Sequence, residues 1–339
     1  MKALIKKIAS EKSYQKLRYP LIVKRALSNI LYDAKNFIKY SSLTYQPKNP
    51  TSYSAILTME YHKLEKAISL PTPKKLYGKS ISIKIIEIIK NNKTFSQVCL
   101  EDTQIALKVL EDYCKVIART DEVENQETAK TVSREIEEIK KTLPTIATES
   151  PSGVLPGKKL TDSYDYFLQF NQNRKSIRNF SNKPVPREMI FNAVEAAKYT
   201  PSVCNRQPWK IYYLDCNKKV VNALRFQNGN SGFRETIPGL IIVTSSNKYF
   251  PLSGERNQLW IDGGMFSMNL LFSLHACGLG ACALNWGNDS FIDMRAKESI
   301  GINSDESIIM MIAVGYPNDD YKVCVSQRKD TTNFITIIN

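Results

Sequence analysis

Histidine, paired cysteines and long apolar runs are scarce in this 339-residue chain. The two histidines, His62 and His275, and seven cysteines without a C-x-x-C pair supply too few ligands in metal-binding spacing. We therefore expect no metal site and free thiols in the reducing cytoplasm. No apolar run reaches the roughly 18 residues of a membrane-spanning helix, and the first residues do not fit a secretory signal.

Acidic residues and glycine are both rare in the first part of the chain. Residues 1–100 contain 19 Lys/Arg and 5 Asp/Glu, whereas the remaining residues contain 28 of each, so the net charge of +14 arises in the first hundred. Gly78 is the only glycine before Gly153. These shifts predict a mainly helical, basic N-terminal region over 1–160, with a linker at about 144–160, and a second domain over 161–339.

The N-terminal region shows helical spacing of apolar residues. This spacing predicts a helix over 102–117, a helix or a strand over 81–89, and an exposed charged helix over 121–141. His62 has the setting of a structural histidine more than that of an acid or base.

Basic and apolar residues alternate over residues 1–50. Such a segment can lie on an anionic membrane surface or bind an acidic protein partner, and the plainer interpretation is a solvated helix face. We do not expect nucleic-acid binding, because no known motif accompanies the basic and aromatic residues.

The second domain alternates helices with β-rich runs. The pattern predicts a helix over 189–197, strands over 210–214, 240–244 and 308–314, and a further strand over 333–338. Residues 262–277 are apolar nearly all round, which is typical of a helix at a domain centre or a subunit interface.

Three short segments of this domain carry candidate binding groups. R-K-S-I-R at 174–178 sets guanidinium groups and a hydroxyl in reach of one phosphate. P-S-V-C-N-R-Q-P-W at 201–209 offers Ser202, Asn205 and Gln207 to the polar edge of a planar heterocycle. G-L-G-A-C-A-L-N-W at 278–286 lets the backbone approach a ligand closely, although alone it also fits a helix C-cap.

In this order, and with I-A-V-G-Y-P at 312–317 and Q-R-K at 327–329, the segments resemble the FMN-dependent nitroreductase family. The resemblance covers about half of the chain, residues 165–339. It implies an α+β fold, a nitroreductase-like α/β sandwich with a mostly antiparallel sheet, after the mainly helical N-terminal region. It also implies a homodimer with FMN at the subunit interface.

The resemblance assigns roles within a cofactor site. Arg174, Ser176 and Arg328 would hold the FMN phosphate, and Arg178 would reach the phosphate or the pyrimidine edge. The partner subunit would supply its Pro201, Ser202 and Val203 to the isoalloxazine ring, and Ala281 and Cys282 would lie near N5 and O4. The full expected set of cofactor-binding residues is Arg174, Lys175, Ser176, Arg178, Pro201, Ser202, Val203, Asn205, Gln207, Ala281, Cys282 and Arg328.

The flavin would carry the chemistry, so no protein side chain is expected to be catalytic. NAD(P)H would reduce FMN, and reduced flavin would pass hydride to a small organic acceptor in a ping-pong cycle, with nitro compounds or quinones as surrogates. Iodotyrosine dehalogenase-like members place a hydroxyl near N5, whereas this chain has Ala281-Cys282-Ala283. Cys282 is more typical of a packing residue than of a redox thiol.

Two alternatives remain at this point. The helical extension resembles nitroreductase-like proteins associated with bacterial surface polysaccharides, which favours a flavin-dependent dehydrogenase in that or another biosynthesis. The other is a non-catalytic FMN-fold module that docks on a membrane or an acidic partner. The expected location is cytoplasmic, with a peripheral position at the inner membrane surface as the alternative.

Overall fold

The computed structural model describes residues 11–70, 78–144, 157–159 and 161–338, and for residues 11–17 only the backbone. The helices with their bounds are α1 (Glu11–Tyr40), α2 (Pro50–Ser69), α3 (Lys79–Asn91), α4 (Lys93–Val98), α5 (Leu100–Ile117), α6 (Val123–Thr142), α7 (Tyr164–Asn173), α8 (Arg187–Ala197), α9 (Asn217–Leu224), α10 (Gln258–Ala276) and α11 (Ser290–Ile300). The strands are β1 (Trp209–Leu214), β2 (Gly239–Ser246), β3 (Gly280–Asn285) and β4 (Glu306–Gly315).

Helices α2 to α6 form a bundle with its own apolar core. The start of α2 is fixed by its sequence, because the Asn49 side chain accepts a hydrogen bond from the Ser52 backbone N–H at 2.9 Å and Pro50 occupies the first turn. The helix predicted over 102–117 is present as α5, and the isoleucine run forms the helix α3 rather than a strand.

The helix predicted over 121–141 is present as α6, but it is not simply exposed. One face buries Ala129, Val132, Ile136 and Ile139 in the bundle core. These residues recur every three or four positions, so the charged residues between them hide an amphipathic pattern in the sequence.

The second domain is built around an antiparallel sheet with strand order β1-β2-β4-β3. Every residue of β2 is buried, because helices cover both faces of the sheet. One face packs on α9, and the other packs on α8 and α10. The predicted α+β class with a mostly antiparallel sheet is confirmed, as are the helix at 189–197 and the strands at 210–214, 240–244 and 308–314.

One prediction for this domain fails, and one strand was not predicted. Residues 280–285, for which the sequence indicated only a close approach of the backbone to a ligand, form the edge strand β3, since they gain a partner in β4 despite their weak strand formers glycine and alanine. The strand expected over 333–338 is absent within the described residues, where a 3-10 turn at Thr331–Asn333 precedes irregular chain. Phe334, Ile335, Ile337 and Ile338 are exposed, so this single chain offers them no sheet edge.

Helix α1 packs on the second domain instead of on the bundle. Asn29 Nδ2 donates to Asp289 Oδ1 at 3.0 Å and Tyr32 OH donates to Asp293 Oδ2 at 2.8 Å, both at α11. Helix α2 packs against the turns at 203–205 and 247–249. The expected linker at 144–160 lies largely outside the described residues, so the domain boundary stays a prediction.

Within the described parts of the chain, no helix combines the length and the apolar character needed to cross a membrane. The same residues contain no cluster of three or more His, Cys, Asp or Glu that could bind a metal ion.

Candidate functional site

The segment 174–178 runs beside the first residues of β3. Ser176 forms a parallel bridge with Ala281, and the Ile177 backbone N–H donates to the Ala281 carbonyl at 3.0 Å. A Cβ on Gly280 would lie 3.0 Å from the Ile177 side chain, so glycine permits this close approach. The fold therefore brings two of the three predicted segments together in one corner of the domain.

The cations of this corner have no acidic partners. Arg174 and Lys175 are half-buried, and no carboxylate of the described residues forms an ion pair with either. They line a cavity of about 170 Å³ whose other walls include His275, Gly278 and Tyr321, with no acidic side chain. Partly desolvated cations without a carboxylate favour an anionic ligand, and guanidinium suits phosphate.

The positive charges of this corner affect the pKa values of two neighbouring side chains, His275 and Cys282. Burial lowers the pKa of His275, and the Arg174 charge lowers it further. Burial raises the pKa of the Cys282 thiol, while the Arg178 charge opposes that rise. Cys282 is 1% exposed, which suits a packing residue, whereas His275 is half-buried with its ring 4.9 Å from that of Phe170.

The third predicted segment, the loop 201–207, is held in an unusual backbone conformation. Cys204, Asn205 and Gln207 have φ values of 50°, 54° and 49°, which non-glycine residues seldom adopt. Ser202 Oγ accepts from the Gln207 N–H at 2.9 Å. Asp262 Oδ2, on α10, accepts from the Val203 N–H at 3.2 Å. The exposed Gln207 and Asn205 side chains hydrogen-bond to each other, which occupies part of their polar capacity.

A residue that sequence reasoning did not select, Arg206, ties this loop to the domain. Its side chain is 0% exposed, donates to the Tyr249 carbonyl at 2.6 Å and pairs with Glu255 at 2.5 Å. Its Nε also donates to the Val203 carbonyl at 3.1 Å. Sequence signals for these contacts were weak, because an arginine in a polar loop is usually solvated.

The bundle supports the same loop from the other side. Glu60 of α2 is 1% exposed and accepts hydrogen bonds from Tyr45 and from Lys63 at 2.8 Å, with Lys84 at 3.1 Å. Burial alone would raise the pKa of Glu60, but these donors hold it below the ordinary value. This cluster lies close enough to Arg206 for its charge to affect the pKa of Tyr45.

The loop and the cationic corner occupy opposite ends of the sheet. Ala281 of β3 pairs with Val314, which lies opposite Gly239, whereas Trp209 of β1 pairs with Ser245 at the other end of β2. Strand spacings of about 4.8 Å and rises of about 3.3 Å per residue separate the two by more than about 20 Å. One chain therefore does not bring Pro201, Ser202 or Val203 to Arg174.

Arg328 is not among the residues that line the cavity of the corner. It lies on an exposed segment near the C-terminus, where its Nη1 donates to the Ser326 carbonyl at 2.5 Å. Cys324 of the same segment lies 3.9 Å from Arg178 Nη1, so the segment passes the corner before it reaches Arg328.

The structure thus defines an α+β domain with a cationic corner at the edge of an antiparallel sheet. The Nitroreductase family profile matches residues 172–226 and 220–316, a range that contains this corner and the loop. Residues 172–316 are thereby assigned to the nitroreductase family.

Individual relatives match about half of the chain. An iodotyrosine deiodinase from Haliscomenobacter hydrossis is 26% identical in a 203-residue alignment that covers 52% of this chain and 89% of the relative. A 4-nitrobenzoate reductase from a Nocardioides species is 22% identical over 49% of this chain and 87% of its own length. An FMN-dependent nitroreductase structure from Clostridium difficile is 22% identical, covers 49% of this chain and 93% of that chain, and superimposes with a TM-score of 0.40.

Proposed function

We propose that this chain is an FMN-dependent NAD(P)H oxidoreductase that reduces a small organic acceptor. Family membership supports the class, a flavin-dependent oxidoreductase. The observation that carries the proposal is the pair of half-buried cations, Arg174 and Lys175, that face a cavity with no carboxylate of the described chain.

The cations of the corner suit the phosphate of FMN. Arg174 and Lys175 line the cavity and supply positive charge, and the neighbouring Ser176 and Arg178 carry a hydroxyl and a further guanidinium group outside its lining. A phosphate needs several donors around it, and acidic groups there would repel it. The residues present therefore fit the phosphate end of the cofactor.

One chain supplies only part of the space that FMN needs. The cavity of about 170 Å³ is smaller than the roughly 300–1,000 Å³ of sites that enclose small ligands. The loop with Pro201, Ser202 and Val203 lies at the opposite end of the sheet, so a second copy is the natural source of these residues. The exposed apolar side chains of α10, Ile261, Met265 and Met268, provide a surface for that homodimer.

The chain's own residues position the cofactor rather than react. Arg174, Lys175 and Ser176 would hold the phosphate, and the β3 backbone at Ala281 and Cys282 would lie against the ring system. FMN, when bound, supplies the redox chemistry by accepting hydride from NAD(P)H and passing it to the acceptor in alternate, ping-pong half-reactions.

The deiodinase relatives favour a second candidate, reductive removal of halogen from an aromatic substrate. We rank it second because Ala281 and Ala283 carry no hydroxyl and the Cys282 thiol between them is buried. A dedicated biosynthetic dehydrogenase is also compatible with the corner. Turnover with NAD(P)H and a nitro compound separates the proposed oxidoreductase from these two alternatives. A dehalogenase or a dedicated dehydrogenase would reduce the nitro compound only slowly.

The absorption spectrum of the purified full chain tests the proposal. We expect flavin bands that bleach on anaerobic addition of NADH or NADPH and return when a nitro compound or quinone is added. A protein that neither retains nor takes up FMN would overturn the flavin site. A protein whose bound FMN resists both nicotinamides would overturn the oxidoreductase and favour a binding module.

A further inference from the structure

Helix α1 presents a long apolar face to the outside. Between residues 18 and 40 the better-covered positions are Asn29, Tyr32, Asn36, Phe37 and Tyr40, which recur at helical spacing. Asn29 and Tyr32 are the anchors to α11. The opposite face carries seven exposed apolar residues, which we call the apolar stripe: Pro20, Val23, Leu27, Ile30, Leu31, Ala34 and Ile38.

The apolar surface that the stripe exposes to water is larger than is usual for a helix on a protein surface. Leu27, Ile30, Leu31 and Ile38 are 55–68% exposed, and residues 18–28 are exposed without interruption. At about 1.5 Å per residue the stripe is about 27 Å long. Continuous apolar patches of this kind mark an interaction surface rather than solvated chain.

The charges around the stripe identify the chemistry of its partner. Lys24, Lys35 and Lys39 follow one border, and none of them forms an ion pair with a carboxylate of the described residues. The sequence from 12 to 32 contains five Lys/Arg and no Asp or Glu. A basic border beside an apolar face complements an anionic surface with an apolar layer beneath it.

The neighbouring part of the second domain continues this surface. A groove of about 510 Å³ lies between the stripe residues Ile30, Ala34 and Ile38 and the residues Trp260 and Arg256. An exposed tryptophan and an exposed arginine beside an apolar face are typical of the water–lipid boundary. Asp33 is the acidic residue of this groove. Burial and the nearby Asp293 raise its pKa, while Lys297 opposes that rise.

We propose that α1 docks the protein on an anionic lipid surface, with the apolar stripe buried among the headgroups and its lysines beside the phosphates. The helix lies in the plane of the surface, because Asn29 and Tyr32 on its opposite face are bonded to Asp289 and Asp293 of the second domain. The nitroreductase-family domain is thereby held against the membrane without spanning it.

Co-sedimentation of the full chain with lipid vesicles tests this docking. We expect binding to mixed phosphatidylcholine–phosphatidylglycerol vesicles, weaker binding as salt is raised, and no binding to phosphatidylcholine alone. Equal binding to both kinds of vesicle, or to neither, would overturn the proposal.

Substitutions on exposed positions locate the contact without a folding penalty. Leu27→Glu with Leu31→Glu should abolish vesicle binding, because two carboxylates then face the lipid. The control, Val98→Glu with Val123→Glu, also replaces two exposed apolar side chains by carboxylates, here on the bundle, and should bind as the wild type does. Retained binding by the stripe variant would contradict the proposal.

A second pair of variants tests how much the lysine charges contribute to vesicle binding. Lys24→Gln with Lys35→Gln should weaken binding about thirtyfold, whereas Lys130→Gln with Lys141→Gln on α6 should change it far less.

A measurement of molecular mass in solution, without vesicles, tests whether a second copy of the chain covers the apolar stripe instead. If wild type fails to sediment and Leu27→Glu with Leu31→Glu splits a dimer, a second copy covers the stripe and the proposal is wrong.

Discussion

Two arginines of the second domain, Arg206 and Arg174, are surrounded in opposite ways. Arg206 is fully buried and bonded to Glu255 and to backbone carbonyls at 2.6 and 3.1 Å. Arg174 is half-buried and lines a cavity that contains no carboxylate. The difference separates a cation whose partners belong to the fold from a cation whose partner must be supplied as a ligand.

Because their surroundings differ, the loss of Arg206 and the loss of Arg174 should have different effects. Removing Arg206 leaves a carboxylate and carbonyls without their donor, so the free energy of unfolding should change. Removing Arg174 breaks no ion pair among the described residues, so ligand affinity should change and stability should change little.

Arg206→Met should lower the free energy of unfolding by about 3–5 kcal/mol, because Glu255 is left partly buried without its partner. Chemical denaturation measures this loss. Arg206→Met with Glu255→Leu should recover part of it, since no carboxylate then lacks a partner. An unchanged denaturation midpoint in the single variant would show that Arg206 is not structural.

Arg174→Gln should weaken FMN binding about tenfold to a hundredfold through the lost charged donor, with stability changed by no more than about 0.5 kcal/mol. Quenching of FMN fluorescence gives the dissociation constant. The control, Arg225→Gln, makes the same change at an exposed position on another face and should bind FMN normally. If Arg174→Gln lowered the stability and left the FMN affinity unchanged, Arg174 would be a structural arginine like Arg206, and the prediction would be wrong.

Tyr32→Phe should loosen α1 at a cost of about 1–2 kcal/mol, because Asp293 loses the hydroxyl donor at 2.8 Å. Amide hydrogen exchange should show faster exchange over 18–40. Tyr19→Phe on the same helix is a matched control, since Tyr19 is 67% exposed. Equal protection in wild type and Tyr32→Phe would mean that α1 is held by other contacts.

Asp102→Asn tests a carboxylate that has a hydroxyl partner, Ser54, and no cation. Burial raises the pKa of Asp102 above 3.8, so the fold disfavours its ionised form. Wild-type stability should therefore fall as pH rises through the window between 3.8 and the raised pKa. The asparagine variant should be more stable at pH 7, by up to about 1 kcal/mol, and lose this advantage below the window.

Thermal denaturation across pH measures this difference. Asp319→Asn, at an exposed position, is the control and should match wild type throughout. A variant less stable than wild type at pH 7 would show that the Asp102 charge contributes favourably.

The sequence was most informative where one local rule decided the outcome. Helices α5 and α8 and strands β1, β2 and β4 follow from apolar spacing alone. Strand β3 does not, because Gly280, Ala281 and Ala283 form a strand only by pairing with β4. The strand expected over 333–338 has the right residues, but the described chain gives it no partner.

The sequence predicted which residue types form the candidate site, but it predicted less well how the segments that carry them are arranged in space. The resemblance grouped 174–178 with 281–282, and the bridge between Ser176 and Ala281 joins them. No sequence signal gave the distance between that corner and the loop 201–207, which depends on strand order. Arg206 and Glu60 were missed because burial, which the sequence does not reveal for a charged residue, decides their role.

The most direct test of the cationic corner compares FMN with riboflavin, which lacks the phosphate, in titrations of the apo form of the full chain and of Arg174→Gln. We predict that the wild type binds FMN at least about a hundredfold more tightly than riboflavin, and that Arg174→Gln narrows this ratio by weakening FMN alone. Equal wild-type affinities for FMN and riboflavin would contradict the account, because the unpaired cations would then have no phosphate to bind.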